Sequence, residues 1–101
     1  MWICLNNSFL SIVSDNKNPN LLLVRARKKG DIEAVFPNTI VNENIGTDYK
    51  YRSSIDRRTV ASVLADLALN IDYGNFKNSV VDPDRHDAYF DIWTTMYGFQ
   101  R

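Results

Sequence analysis

The sequence predicts an α+β domain in which a small antiparallel sheet of about four strands carries two to three helices packed on one face. Two observations lead to this fold class. Short β-favouring runs alternate with brief turns in the first part of the chain, and short connections favour antiparallel pairing. Segments with apolar residues at helical spacing fill the last part. A length of 101 residues suits one domain, so residues 1–101 are predicted to form a single globular unit.

The first predicted strands lie near the N-terminus. Two β-favouring runs, Trp2 to Leu5 and Phe9 to Val13, flank Asn6-Asn7, and we favour one long strand with a bulge over a tight hairpin. Leu21 to Arg27 follows an asparagine-rich turn and is predicted to pair with that strand. A short helix begins at Gly30-Asp31 and stops at Pro37, because proline ends a helix.

Two further strands are predicted over Asn38 to Asn42 and Asp48 to Ser54, with a flexible loop that contains Gly46 between them. Side chains alternate along a strand, so the second of these strands should have one buried side and one wet side. The buried side is predicted to hold Tyr49, Tyr51 and Ser53, and the wet side Lys50, Arg52 and Ser54.

Capping residues predict two helices in the last part of the chain. Asp56 can accept hydrogen bonds from the first turn of a helix over Arg57 to Leu69, and Asp82 can do the same for a helix from about Pro83 to Tyr97. The apolar stripe of the second helix is expected to be buried. It contains Ala88, Tyr89, Ile92, Trp93 and Met96.

Composition excludes several classes of protein. The single cysteine, Cys4, cannot form an internal disulfide, and no cysteine and histidine cluster has the spacing of a zinc site. We therefore expect no metal and no cofactor. No apolar run approaches the roughly 18 residues of a membrane span or the length of a signal peptide, which predicts a cytoplasmic protein without a membrane partner.

Two charged surfaces are candidate binding sites. The acidic residues of the last helix would form a contact patch for a partner protein. These residues are Asp84, Asp87 and Asp91. Basic residues of two strands would form a positive sheet face for phosphate groups, provided that the strands are neighbours. These residues are Arg25, Arg27, Lys50 and Arg52. Because Tyr49 and Tyr51 are predicted to point to the opposite side, this face would lack aromatic rings for base stacking.

His86, the only histidine, is the one candidate for catalytic chemistry. A catalytic base needs an orienting carboxylate and a nearby nucleophile; Asp82 is a candidate for the first, and Ser79, seven residues before His86, for the second. A histidine packed at the edge of the core explains the same position without any chemistry. We therefore predict no catalytic residue and a protein that is not an enzyme.

Three segments, LLLVRARKKGDIEAVFP, DYKYRSSI and IDYGNFKNSVVDPDRHDAYFDIWTTM, resemble a family of short uncharacterised bacterial proteins that also occur on mobile elements. The resemblance covers most of the chain, implies a compact single domain and brings no catalytic residues. Small proteins of this size and setting include inhibitors of host defence such as anti-CRISPR proteins.

The functional expectation is accordingly a non-enzymatic, anti-CRISPR-like binding protein that blocks the surface of a larger protein or nucleoprotein. The alternative is a nucleic-acid-binding domain that uses the basic sheet face, and a third, lower alternative is a small hydrolase or nuclease that uses His86.

Overall fold

The structure is a computed structural model that describes residues 1–101. The elements in chain order are β1 (Trp2–Cys4), β2 (Phe9–Ser14), β3 (Leu21–Ala26), α1 (Asp31–Val35), β4 (Asn42–Glu43), β5 (Tyr51–Asp56), α2 (Arg57–Leu69), a 3-10 turn (Lys77–Ser79) and α3 (Pro83–Phe99). Two compact units can be distinguished, the N-terminal unit Met1–Ile71 and the C-terminal unit Asp72–Arg101. The single domain expected for residues 1–101 stays a prediction.

The N-terminal unit contains one sheet of five strands in the order β1-β2-β3-β5-β4, and every neighbouring pair is antiparallel. This sheet with its helices confirms the predicted α+β class. The sheet has one strand more than predicted, because the N-terminal segment forms the hairpin β1-β2. The prediction of one bulged strand there is wrong. The Leu5 N–H donates to the Ser8 carbonyl over 2.8 Å and closes a turn at Asn6-Asn7. Asparagine side chains favour such turns, which allows the chain to reverse here.

One side of the sheet, the core face, packs against α1 and α2. Alternate residues of β2, β3 and β5 point to this face, where Ile12 pairs with Val24 and Leu22 with Ile55. The helices contribute apolar side chains to the same cluster. Its buried members are Leu10, Ile12, Val24, Ala26, Ile32, Phe36, Ile55 and Val60. Both helices of this unit thus lie on one face of its sheet, as predicted.

The second hairpin is displaced from its predicted bounds, because the loop between β4 and β5 is longer than expected. The Asn44 N–H donates to the Lys50 carbonyl over 2.8 Å, and the Thr47 hydroxyl donates to the Tyr49 carbonyl over 2.7 Å. Hydrogen bonds within the loop therefore fix its backbone as far as Lys50, and β5 begins only at Tyr51. Tyr49 lies before β5 begins, so strand alternation does not fix its side.

The helices begin where their capping residues predict. The Asp56 carboxylate accepts hydrogen bonds from the N–H groups of Arg58 and Thr59 over 2.9 and 3.1 Å, and α2 has its predicted bounds. Asp82 accepts from the Arg85 N–H over 2.9 Å, and proline occupies the first position of α3. None of the helices is both long and apolar enough to cross a membrane.

The C-terminal unit combines α3 with the segment that precedes it. The Phe76 ring stacks on the Tyr89 ring with centroids 5.6 Å apart, and Tyr73 contacts Phe76 at 5.7 Å. Tyr89 is the only buried residue of α3. The prediction of a buried stripe along this helix is therefore wrong for most of its length, and Trp93 is 46% exposed. Within this unit only the 3-10 turn and its flanks pack on the helix, and they are too short to cover seventeen residues.

Candidate nucleic-acid interface

Side chains of four strands form one row across the face of the sheet opposite the core, which we call the open face. In the strand register Trp2 pairs with Ser11, Ser11 with Arg25, and Arg25 with Arg52. Residues paired in this way point to the same side of a sheet. The row therefore joins an aromatic residue at one edge to two arginines on the central strands. Neighbouring strands lie about 4.8 Å apart, so Trp2 and Arg52 are separated by about 14 Å.

Three arginines converge on Tyr49, and we call this group the arginine cluster. The Arg25 and Arg27 guanidinium carbons lie 4.6 and 4.2 Å from the centre of the Tyr49 ring. The Arg52 Nε donates to the Tyr49 carbonyl over 3.3 Å. Tyr49 is only 4% exposed, so its ring is a buried surface on which the Arg25 and Arg27 guanidinium groups stack. Stacking on the negative face of an aromatic ring favours a cation and holds its plane in one orientation.

The arginine cluster is held by neutral groups. The Arg25 Nη2 donates to the Ser11 hydroxyl over 2.7 Å, and the Arg27 Nη1 donates to the Asp48 carbonyl over 2.8 Å. The Arg25 Nε is buried without a hydrogen-bond partner. No carboxylate forms an ion pair with any of the three arginines, so their positive charges remain available to an anion. Guanidinium groups suit phosphate because they donate two parallel hydrogen bonds.

Aromatic rings occupy the other end of the row. Trp2 contacts Phe9 edge to face with centroids 6.4 Å apart, and its side chain is 75% exposed. Phe9 lies two residues before Ser11 on β2 and therefore points to the same face. The open face thus combines an exposed indole with guanidinium groups. The sequence analysis missed Trp2 and Phe9 because it favoured one bulged strand over the hairpin that pairs β1 with β2.

Two expectations about the basic face are corrected. Tyr49 does not share the buried side with Tyr51, because it lies in the loop before β5 and carries Arg25 and Arg27 on its ring. Lys50 does not join the arginine cluster. Its ammonium group pairs with the Glu43 carboxylate at 3.4 Å and lies 5.7 Å from the centre of the Tyr51 ring. The remaining basic residues of the prediction, Arg25, Arg27 and Arg52, do come together.

The predicted acidic residues all lie on α3 in the C-terminal unit. Asp84, Asp87 and Asp91 are exposed, and their spacing places them along one side of the helix. The Asp87 carboxylate is 3.7 Å from the His86 Nδ1, with the aspartate side chain 83% exposed. These three residues form an exposed acidic row on α3.

The structure places no nucleophile against His86. The Ser79 hydroxyl donates to the Phe76 carbonyl over 2.5 Å, and the Asp82 carboxylate caps α3. His86 is half-buried, with Asp87 as its neighbouring carboxylate. Burial raises the pKa of the Cys4 thiol, which keeps it protonated and weakly nucleophilic at neutral pH. No group of three or more histidine, cysteine or acidic residues is arranged to hold a metal ion.

No protein-family model, no curated protein and no solved structure matches this chain. The interpretation of the open face therefore rests on its own geometry, in which a stacking surface and uncompensated arginines share one side of a sheet.

Proposed function

We propose that the chain is a non-enzymatic binding protein that holds a single strand of nucleic acid on the open face of its sheet. The observation that supports this most is the row from Trp2 through Ser11 and Arg25 to Arg52. Proteins that bind single strands combine aromatic rings, on which bases stack, with basic side chains that contact the phosphates. Both kinds of group occur in this one row.

The exposed indole of Trp2 favours an unpaired strand over a duplex. An indole can stack only on a base whose face is free, and bases inside a duplex are stacked on each other. A strand that crosses the sheet from Trp2 to Arg52 would span about 14 Å, a distance of a few nucleotides. Recognition would be largely independent of sequence, because every base has a stacking face and arginine contacts the backbone.

Fluorescence anisotropy with labelled single-stranded oligonucleotides would test the proposal. Binding should weaken steeply with salt. If three phosphates contact arginines, the logarithm of the binding constant should fall with the logarithm of the salt concentration with a slope of about −2. Arg52→Gln should reduce that slope by about 0.7, since one contact is lost. Arg58→Gln is the matched control, because Arg58 lies in the first turn of α2, the helix that packs on the core face. An unchanged slope for Arg52→Gln, or no binding at low salt, would contradict the proposal.

The aromatic end of the row has its own test. Trp2→Ala should weaken binding of a single strand by about 1–3 kcal/mol, which is the usual contribution of one stacked base. Its effect on a duplex of the same sequence should be small. Because the Trp2 side chain is 75% exposed, the substitution should leave the fold intact. Equal loss of affinity for single strand and duplex would show that Trp2 does not stack on a base.

A second candidate function is an anti-CRISPR-like inhibitor that blocks a larger protein or nucleoprotein through α3. The exposed acidic row of Asp84, Asp87 and Asp91 favours it, since aligned carboxylates can occupy a basic groove in place of phosphates. Changing Asp87 and Asp91 to Lys should abolish capture of a nuclease-resistant protein partner from bacterial lysate. The same capture by the folded double variant would exclude the acidic row as the contact surface.

A further inference from the structure

The C-terminal unit exposes apolar side chains along most of α3. Phe90, Trp93 and Tyr97 stack in sequence, with centroids 5.9 and 5.3 Å apart and ring planes within 21° and 20° of parallel. We call these three rings the aromatic ladder. The Lys77 ammonium lies 4.4 Å from the centre of the Trp93 ring. The ladder is therefore ordered in the free chain, and little side-chain entropy would be lost if another surface covered it.

The exposed surface extends beyond the ladder. Ile92, Met96 and Phe99 follow each other at helical spacing and are 45, 56 and 78% exposed, while Phe90, Trp93 and Tyr97 are 46, 46 and 65% exposed. Large contiguous apolar patches are uncommon on isolated proteins and usually mark an interaction surface.

We propose that a second copy of this chain covers the patch, so that two α3 helices pair in a symmetric dimer. The four aromatic residues of the patch have about 150–250 Å² of surface each, and with the smaller Ile92 and Met96 the exposed portions of the six residues sum to roughly 600 Å² per copy. Two copies would bury at most roughly 1,200 Å², which is the lower limit of a stable interface. In a symmetric pair each copy contributes the same patch, so the aromatic ladder of one copy can pack against the aromatic ladder of the other.

Sedimentation equilibrium of the full chain tests the dimer. We expect a monomer–dimer equilibrium in the micromolar range that is independent of added nucleic acid. Tyr97→Asp and Phe99→Asp place a charge on highly exposed positions, so they should keep the monomer folded and weaken association by about thirtyfold or more. Trp2→Asp is the matched control, since it puts the same charge on the exposed aromatic of the other unit. A chain that stays monomeric, or a dimer that both α3 variants leave intact, would overturn the proposal.

The results with Tyr97→Asp and Phe99→Asp are separate from those of the open face, since neither variant removes a residue of the Trp2 to Arg52 row.

Discussion

Asp15 organises the turn between β2 and β3. Its carboxylate accepts hydrogen bonds from the Lys17 N–H at 2.8 Å, the Asn18 N–H at 3.0 Å and the Ser54 hydroxyl at 2.9 Å. These bonds favour the charged form, and the hydrogen bond from the Lys17 N–H is the largest of the causes that lower the pKa of Asp15. The side chain of a loop residue thus ties the turn to β5.

The lowered pKa of Asp15 predicts how stability depends on pH. The carboxylate stabilises the folded chain fully above its unfolded pKa of about 3.9, and this contribution is lost as pH falls through the lower folded pKa. Asp15→Asn keeps an acceptor for the turn but removes the charge. Urea denaturation should therefore show a constant deficit for Asp15→Asn above about pH 5 that narrows below about pH 3.9.

Asp66→Asn, which removes the same charge from the exposed side of α2, is the control for this effect. A deficit for Asp15→Asn that stays the same down to the acid limit would mean that the charge of Asp15 does not contribute to stability.

At the scale of one element, the first turn of α2 depends on its cap. Asp56→Ala removes the acceptor for the Arg58 and Thr59 N–H groups and should lower the free energy of unfolding by about 1 kcal/mol. Asp66→Ala, within the same helix, should cause no loss, because alanine is the better helix former. Chemical denaturation followed by circular dichroism measures both. Equal stability of the two variants would show that the Asp56 cap contributes nothing.

The elements also show how much the sequence could predict. Caps such as Asp56 and Asp82 act on residues within three positions, so the starts of α2 and α3 followed from sequence alone. The position of Trp2 in the open row needed the hairpin register, which depends on pairing between strands. The predicted side of Tyr49 is wrong because this residue lies in a loop whose hydrogen bonds, and not strand alternation, set its orientation. Exposure of Trp93 depends on which segments cover α3, and periodicity does not contain that information.

At the scale of the whole molecule, each of the two units carries one tryptophan. Trp2 is 75% exposed and Trp93 46%, and the Trp93 ring lies between Phe90 and Tyr97. Emission of the folded chain should therefore resemble that of a water-exposed indole and shift little on unfolding. In single-tryptophan variants at low protein concentration, acrylamide should quench Trp2 more strongly than Trp93. Stronger quenching of Trp93 would contradict the stacked arrangement on α3.

The outer strands of the sheet are short, since β1 has three residues and β4 only two. Unpaired backbone groups at a sheet edge can template further strands, and brevity is one way in which proteins avoid amyloid-like growth. A sheet with such edges offers little backbone for another copy to extend. The chain can therefore remain free of fibrils at high concentration even though it displays aromatic side chains on both of its units.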